Sequence, residues 1–493
     1  MTHHSITADE ADRSAGSEWT RRRFLSWSSA GLGSVALAAL LGNDSRTASA
    51  AGVPGEASDP PPHFPARVKR VIHIFAFGGV SQVDSFDYKP KLIQLHGKSL
   101  QSSERPDVFF GKVGLLRKPD WEFRQRGQSG LWISDLFPQL GSVADDLTII
   151  NSMVAETSNH TPGAFQANTG FRLNGFPTLG AWLSYGLGTE SDDLPAYVVI
   201  PDVRGYPAGG AIHWSNGFLP ARHQGVVVRS QGAPMSDLTP AQPIATNVDQ
   251  ASRELLAAIN LEHRQQHPQD DPLSARIRAY ELAARMQLTV PDVAALESET
   301  AATQAAYGLD QPPTKEFGRS CLLARRLLER GVRFVQILSG GAFGSPRINW
   351  DAHESVVKNH GQEALRVDQP LAALIRDLKQ RGLFEDTLLV FSTEFGRTPF
   401  TQSNDNEIGE GRDHNQAGFT CWMAGGGLKS GVRYGATDDV GYRSVENPVS
   451  WYDFHATILR LLGIDHERLT YYHNGIRRRL TNVHGRPLME ILA

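Results

Sequence analysis

Cysteine is nearly absent: the 493 residues contain two, Cys321 and Cys421. So little thiol makes neither a disulfide framework nor a CxxC metal knuckle, and both side chains read as small buried apolar groups. A basic excess is also missing, since 49 Lys and Arg face 53 Asp and Glu for a formal charge of −4. With no surplus positive charge to neutralise a phosphate backbone, the composition argues against a nucleic-acid partner. Long apolar runs are missing as well. The stretch from Ala30 to Leu41 is too short to span ~30 Å of hydrocarbon as a helix. What remains is 40% hydrophobic, 9% aromatic and 21% charged, an ordinary globular composition.

The first fifty residues read as an address. Thr20-Arg21-Arg22-Arg23-Phe24-Leu25 precedes the apolar stretch, and Ala48-Ser49-Ala50 follows it. A charged start, a short apolar run and a small-residue cleavage site make a signal peptide over residues 1–50. Paired arginines before Phe-Leu match the twin-arginine pattern. The expectation is export through the twin-arginine translocase to the periplasm or cell surface, with an uncleaved membrane anchor as the alternative. Residues 51–68, with Pro60-Pro61-Pro62, read as a linker.

From residue 69 the chain alternates strands and helices. Apolar runs at Lys69–Phe77, Leu147–Asn151, Ala196–Pro201, Val332–Leu338, Thr387–Thr393 and Gly418–Ala424 predict strands. Helical spacing marks residues 273–288, 316–330, Leu371–Gln380 and Phe454–Leu462, with Gly331 supplying a left-handed stop. The segment from Pro201 to Asp271, rich in Gly, Pro, Gln and Ala, is expected to form loops over the site. Strands separated by helices predict one α/β domain over residues 69–493, with a mostly parallel sheet covered by helices on both faces.

Ligand-type residues crowd the loops beside these strands. Gly78-Gly79 follows the first strand, and Ser81 and Asp84 come just after; a helix cap is the plain alternative for Asp84. Asp351 and His353 follow the Val332–Leu338 strand, and Asp-x-His suits a cation such as zinc or manganese. Glu394 and Arg397 follow Thr387–Thr393, where an acid and a forked guanidinium can hold a metal and an anion. His414, in Gly411-Arg412-Asp413-His414-Asn415, precedes Gly418–Ala424. The proposed metal set is therefore Asp84, Asp351, His353, Glu394 and His414.

Several of these segments are long enough to be distinctive: Gly78–Pro90 (GGVSQVDSFDYKP), Trp350–His353 (WDAH), Thr393–Pro399 (TEFGRTP) and Gly411–Asn415 (GRDHN). So are Ala424–Gly431 (AGGGLKSG), Tyr434–Asp438 (YGATD) and Asp453–Gly463 (DFHATILRLLG). From Lys69 to Ala493 the chain resembles the sulfatase-like domain-of-unknown-function family 1501, grouped with the alkaline phosphatase superfamily. The resemblance implies an alkaline-phosphatase-like fold, a divalent metal (Zn, Mn, Ca or Mg) and a phosphate or sulfate ester as substrate. Superfamily sulfatases carry Cys or Ser nine residues before a Thr-Gly. Counting back from Thr169-Gly170 reaches His160, with Pro162 in frame and Ala164 where the motif has arginine. That excludes a standard formylglycine sulfatase and implies His160 as nucleophile or general base, or else as a further ligand, with a satisfied structural histidine as the plain alternative. Arg397 then becomes the partner of the substrate anion, and Pro162-Gly163 is expected to form a sharp turn. Gly485–Leu492 resembles the segment before the C-terminal sulfatase subdomain, which is expected to be absent.

Three function classes follow. The first is a metal-dependent hydrolase of phosphate or sulfate esters, small or polysaccharide. The second is a non-catalytic exported binding or cell-surface assembly protein on the same fold, favoured by Phe395 at a ligand position. The third is a metal-dependent enzyme of another reaction class.

Overall fold

The computed structural model describes residues 62–493, apart from 102–105, 107, 237, 239–243, 267–270 and 343–346. The expected signal peptide over residues 1–50 and most of the expected 51–68 linker lie outside the described residues. The end of that linker is docked rather than free: Phe64 N donates to Gly463 O and Arg67 N to Leu461 O.

The centre of the protein is a nine-stranded sheet. Its strands are β1 (Arg70–Ala76), β2 (Leu147–Val154), β3 (Tyr197–Ile200), β4 (Val226–Val227), β5 (Phe334–Ser339) and β6 (Thr387–Ser392). β7 (Gly396–Thr401) and β8 (Arg412–Asn415) form a separate pair, and the sheet continues with β9 (Phe419–Gly425), β10 (Val432–Tyr434) and β11 (Val449–Ser450). The spatial order is β10-β2-β9-β6-β1-β5-β3-β4, with β11 beside β2. Every pairing is parallel except those of β9, which runs against both β2 and β6. The fold is thus mixed α/β with a mostly parallel sheet. Strands such as β5, β6 and β9 are buried along their whole length. That is why they read in the sequence as unbroken apolar runs.

The helices are α1 (His160–Thr169), α2 (Leu179–Leu187), α3 (Thr246–Gln266), α4 (Asp271–Ala294), α5 (Pro312–Glu329), α6 (Val356–Gln380) and α7 (Trp451–Leu461). Gly331 and Gly382 take φ of 85° and 68° just past α5 and α6, the left-handed conformation that ends a helix at little cost to glycine. Three expectations are corrected. The segment from Pro201 to Asp271 contains the 21-residue α3. The helix expected from Leu371 begins at Val356. Pro162 and Gly163 form no sharp turn but sit in the first turn of α1, where a proline lacks no needed donor; Gly163 N already bonds Asn159 O at 2.8 Å. Among the described residues no helix is long and apolar enough to cross a membrane.

The described residues divide into two compact units, one of Ser236–Gln287 and one running to Met235 and again from Leu288. In the first, Arg253 ties α3 to α4 through Ala284 O at 2.8 Å. The second contains the sheet. Its core gathers Phe75, Val199, Leu338, Val390 and Trp451, together with Cys421. Both cysteines are free and fully buried, and burial pushes the Cys421 thiol up to about 12.

Candidate metal centre

Sheet topology brings the candidate loops together. β1, β2, β5 and β6 all point the same way, because β9 runs against both β2 and β6. The chain therefore leaves all four at one edge, and the antiparallel β9 begins there. His160 follows β2, Asp351 and His353 follow β5, Glu394 follows β6, and His414 precedes β9. Glycine makes the approach close. A Cβ on Gly78, whose φ is 122°, would lie 2.6 Å from the backbone nitrogens of Trp350 and Asp351.

Donor atoms of His160, Asp351, His353 and His414 all lie within 4.8 Å of one another. The Oδ1 atom of Asp351 is 3.2 Å from His160 Nε2, 2.7 Å from His353 Nε2 and 3.5 Å from His414 Nε2. The Nε2 atoms of His353 and His414 are 2.9 Å apart. Three of the expected metal residues thus meet, and the fourth donor is His160. Glu394 and Asp84 lie outside the group. Glu394 instead accepts a bond from Gly78 N at 2.9 Å and faces His160 Nδ1 at 2.6 Å. Asp84 is paired with Arg412 at 2.8 Å and bonded by Ser81 Oγ, away from the converging donors.

Arg397 is not open to a substrate anion. Its side chain is fully buried, donates to the carbonyls of Gly78, Gly79 and Arg412, and pairs with Asp351 Oδ1 at 2.7 Å. It lies on β7 (Gly396–Thr401), opposite His414 on β8 (Arg412–Asn415), in an antiparallel pair with a bulge beside His414. A guanidinium with all three nitrogens engaged holds Asp351 in place.

The outward nitrogens decide what the cluster can bind. His414 Nδ1 meets the backbone carbonyl of Ser158, which can only accept. Burial holds His414 well below the usual histidine range, so its one proton sits on Nδ1 and Nε2 presents a bare lone pair. His353 Nδ1 meets Gln402 Oε1, and His160 Nδ1 meets Glu394. Burial alone would push the Asp351 carboxyl up. Arg397 and the imidazoles around it outweigh that and hold it well below the usual carboxylate range. Three imidazole nitrogens and a carboxylate oxygen converge on one point, and each ring has its other nitrogen anchored, as metal-binding histidines do. The donor set fits a divalent metal.

Aromatic rings close the surroundings. Phe395 packs on His160 and His414, with centroids 4.9 and 4.6 Å away. Phe109 lies 4.9 Å from His414 and Phe110 4.8 Å from His353, and Phe110 N donates to Asp413 Oδ2. Arg347, partly exposed, reaches Asp351 Oδ2 and pairs with Glu354. None of Ser158, Gln402, Arg347, Phe109 or Phe110 stood out in the sequence. Only Arg347, four residues before Asp351 in the same loop, carried a readable signal.

Residues 68–492 match the family described as protein of unknown function, DUF1501. The chain belongs to that family. No curated protein matches it. Among solved structures, this DUF1501 chain is similar to a Pseudoalteromonas sp. sulfatase at 12% identity and a TM-score of 0.34, covering 81% of this chain and 68% of that one. It is also similar to a phosphonate monoester hydrolase from Silicibacter pomeroyi, at 12% identity, a TM-score of 0.29 and coverage of 72% and 71%. A third is the C-terminal periplasmic domain of EptC from Escherichia coli in complex with Zn, at 12% identity, a TM-score of 0.33 and coverage of 82% and 87%.

Proposed function

We propose that the protein is a metal-dependent hydrolase of phosphate or sulfate esters, with one divalent cation held by His160, Asp351, His353 and His414. The observation that carries this reading is the convergence of donor atoms of His160, Asp351, His353 and His414 within 4.8 Å of one another. Three imidazoles with one carboxylate favour zinc or a similar transition metal over magnesium or calcium, which prefer all-oxygen shells. Such a cation supplies positive charge that polarises an ester oxygen. The chain's own groups do the rest. Arg397 fixes Asp351, Phe395 keeps water from the histidines, and His160 acts as a donor rather than as the nucleophile.

Asp351 pairs with Arg397, and Arg347 and Glu354 pair with each other. A divalent cation beside them would supply positive charge that an anionic ester can neutralise. The motif resemblance points to the same ester class, small or polysaccharide. Export through the twin-arginine translocase to the periplasm or cell surface belongs to the proposal and rests on Arg21-Arg22-Arg23-Phe24-Leu25 and Ala48-Ser49-Ala50. The N-terminal residue of the mature protein tests it.

Metal content and turnover of aryl phosphates and sulfates, measured together on the wild type and on His160→Ala, test the hydrolase. Bound metal with turnover, both lost in the variant, is the expected result. Bound metal with no turnover on the whole panel would favour the second reading, a non-catalytic exported binding or assembly protein. The engagement of all three Arg397 nitrogens within the fold favours that reading.

A further inference from the structure

Of the three histidines, two anchor Nδ1 on neutral oxygens, the Ser158 carbonyl and the Gln402 amide. His160 alone faces a carboxylate, Glu394, at 2.6 Å. That carboxylate is fully buried and held on several sides. Gly78 N donates to Oε1 at 2.9 Å and to Oε2 at 3.2 Å, and Thr393 Oγ1 reaches Oε2 at 3.3 Å. Backbone donation to both oxygens fixes the carboxylate plane and marks it as an acceptor. The Phe395 ring packs on His160, whose side chain is only 10% exposed.

We propose that Glu394 is a positioning residue of the metal centre: it does not ligate the cation but locks His160 as its Nδ1–H tautomer and makes Nε2 the strongest donor of the set. This rests on the cation reading above. A charge-assisted hydrogen bond is shorter and stronger than a neutral one, and it pushes electron density through the imidazole to the opposite nitrogen. The neutral acceptors Gln402 and Ser158 do this less. The sequence expectation that Glu394 is itself a ligand is replaced by a role one bond further out.

The test uses the purified full chain, Zn²⁺ competed against a chelator, Co²⁺ absorption to report coordination number, and ¹H–¹⁵N NMR of the metal-free protein. Glu394→Gln keeps the size and an acceptor but removes the charge, and Gln402→Ala removes a neutral acceptor for comparison. Expected are a strongly downfield His160 Nδ1 proton in the wild type and Zn²⁺ binding weakened about 10–100-fold in Glu394→Gln. Gln402→Ala should lose less, and the Co²⁺ coordination number should stay the same in both. Wild-type affinity in a folded Glu394→Gln, or one ligand fewer in its Co²⁺ spectrum, overturns the proposal. If the variant fails to fold, the wild-type spectrum still decides: a proton on His160 Nε2 overturns it. A wild type that carries the Nδ1 proton yet binds no Zn²⁺ would instead overturn the cation reading and support the tautomer assignment.

Discussion

Arg412 and Asp84 form an ion pair, Nε to Oδ2 at 2.8 Å, in which neither side chain reaches solvent. Removing one partner of such a pair leaves the other charge buried and unpaired, at a cost of about 3–5 kcal/mol. Asp84→Ala should therefore lower the urea-unfolding free energy by that order. Metal content per folded molecule should not change, because Asp84 lies outside the donor group. Metal lost from a folded variant would return Asp84 to the ligand set.

Gly78→Ala should damage both fold and site. Its φ of 122° is strained for any side chain, and the added Cβ would overlap the backbone at Trp350 and Asp351. Strain alone costs about 1–3 kcal/mol, and relieving the overlap moves Asp351 away from the histidines. Thermal unfolding and Zn²⁺ affinity should fall together. Unchanged values in both would show that the Asp351 loop can yield.

Stability should fall on mild acidification. Burial holds His73 at about 3, His223 at about 3 and His455 at about 4, all below the ordinary 6.5. The unfolded chain binds these protons near pH 6.5 while the folded chain refuses them. Their stabilising contribution is therefore complete above pH 6.5 and is lost as pH falls toward the folded values. At pH 5 each costs up to about 2 kcal/mol. Urea titrations at pH 7.5, 6 and 5 check the sign. His73→Gln should flatten the dependence; a stability that rises below pH 6 would contradict it.

Chelation should lower the melting temperature, and Zn²⁺ should restore it. A ligand at a hundred times its dissociation constant stabilises the fold by about 2.7 kcal/mol. Mg²⁺ and Ca²⁺ should restore little, since imidazole nitrogens suit them poorly. Full recovery with Mg²⁺ alone would argue for oxygen ligands.

The strands were legible because a sheet buried on both faces needs continuous apolar runs, as Thr387–Ser392 and Phe419–Gly425 supply. The pair Gly396–Thr401 and Arg412–Asn415 was not, since most of its buried side chains, such as Arg397, Arg412 and Asp413, are polar and satisfied by partners far along the chain. The first half of α6 went unread because Lys358-Asn359-His360-Gly361 interrupts the apolar spacing, although His360 is fully buried and accepts from Ser81 N. At the site, chemically distinctive residues next to strand ends were visible in Asp351, His353 and His414. Contacts such as His160 with Glu394, 234 residues apart, exist only once the sheet has formed.

Only Asp351 and His353 are near neighbours along the chain; His414 stands 61 residues beyond His353, and His160 belongs to a different strand connection altogether. An unfolded chain would have to close very long loops to offer more than two donors at once, and the entropy of doing so opposes it. A cation at this centre would therefore be captured late, after the strands have paired, and would afterwards act as a non-covalent rivet across the edge of the sheet. Loss of that rivet should loosen the three segments that supply its donors together rather than one at a time.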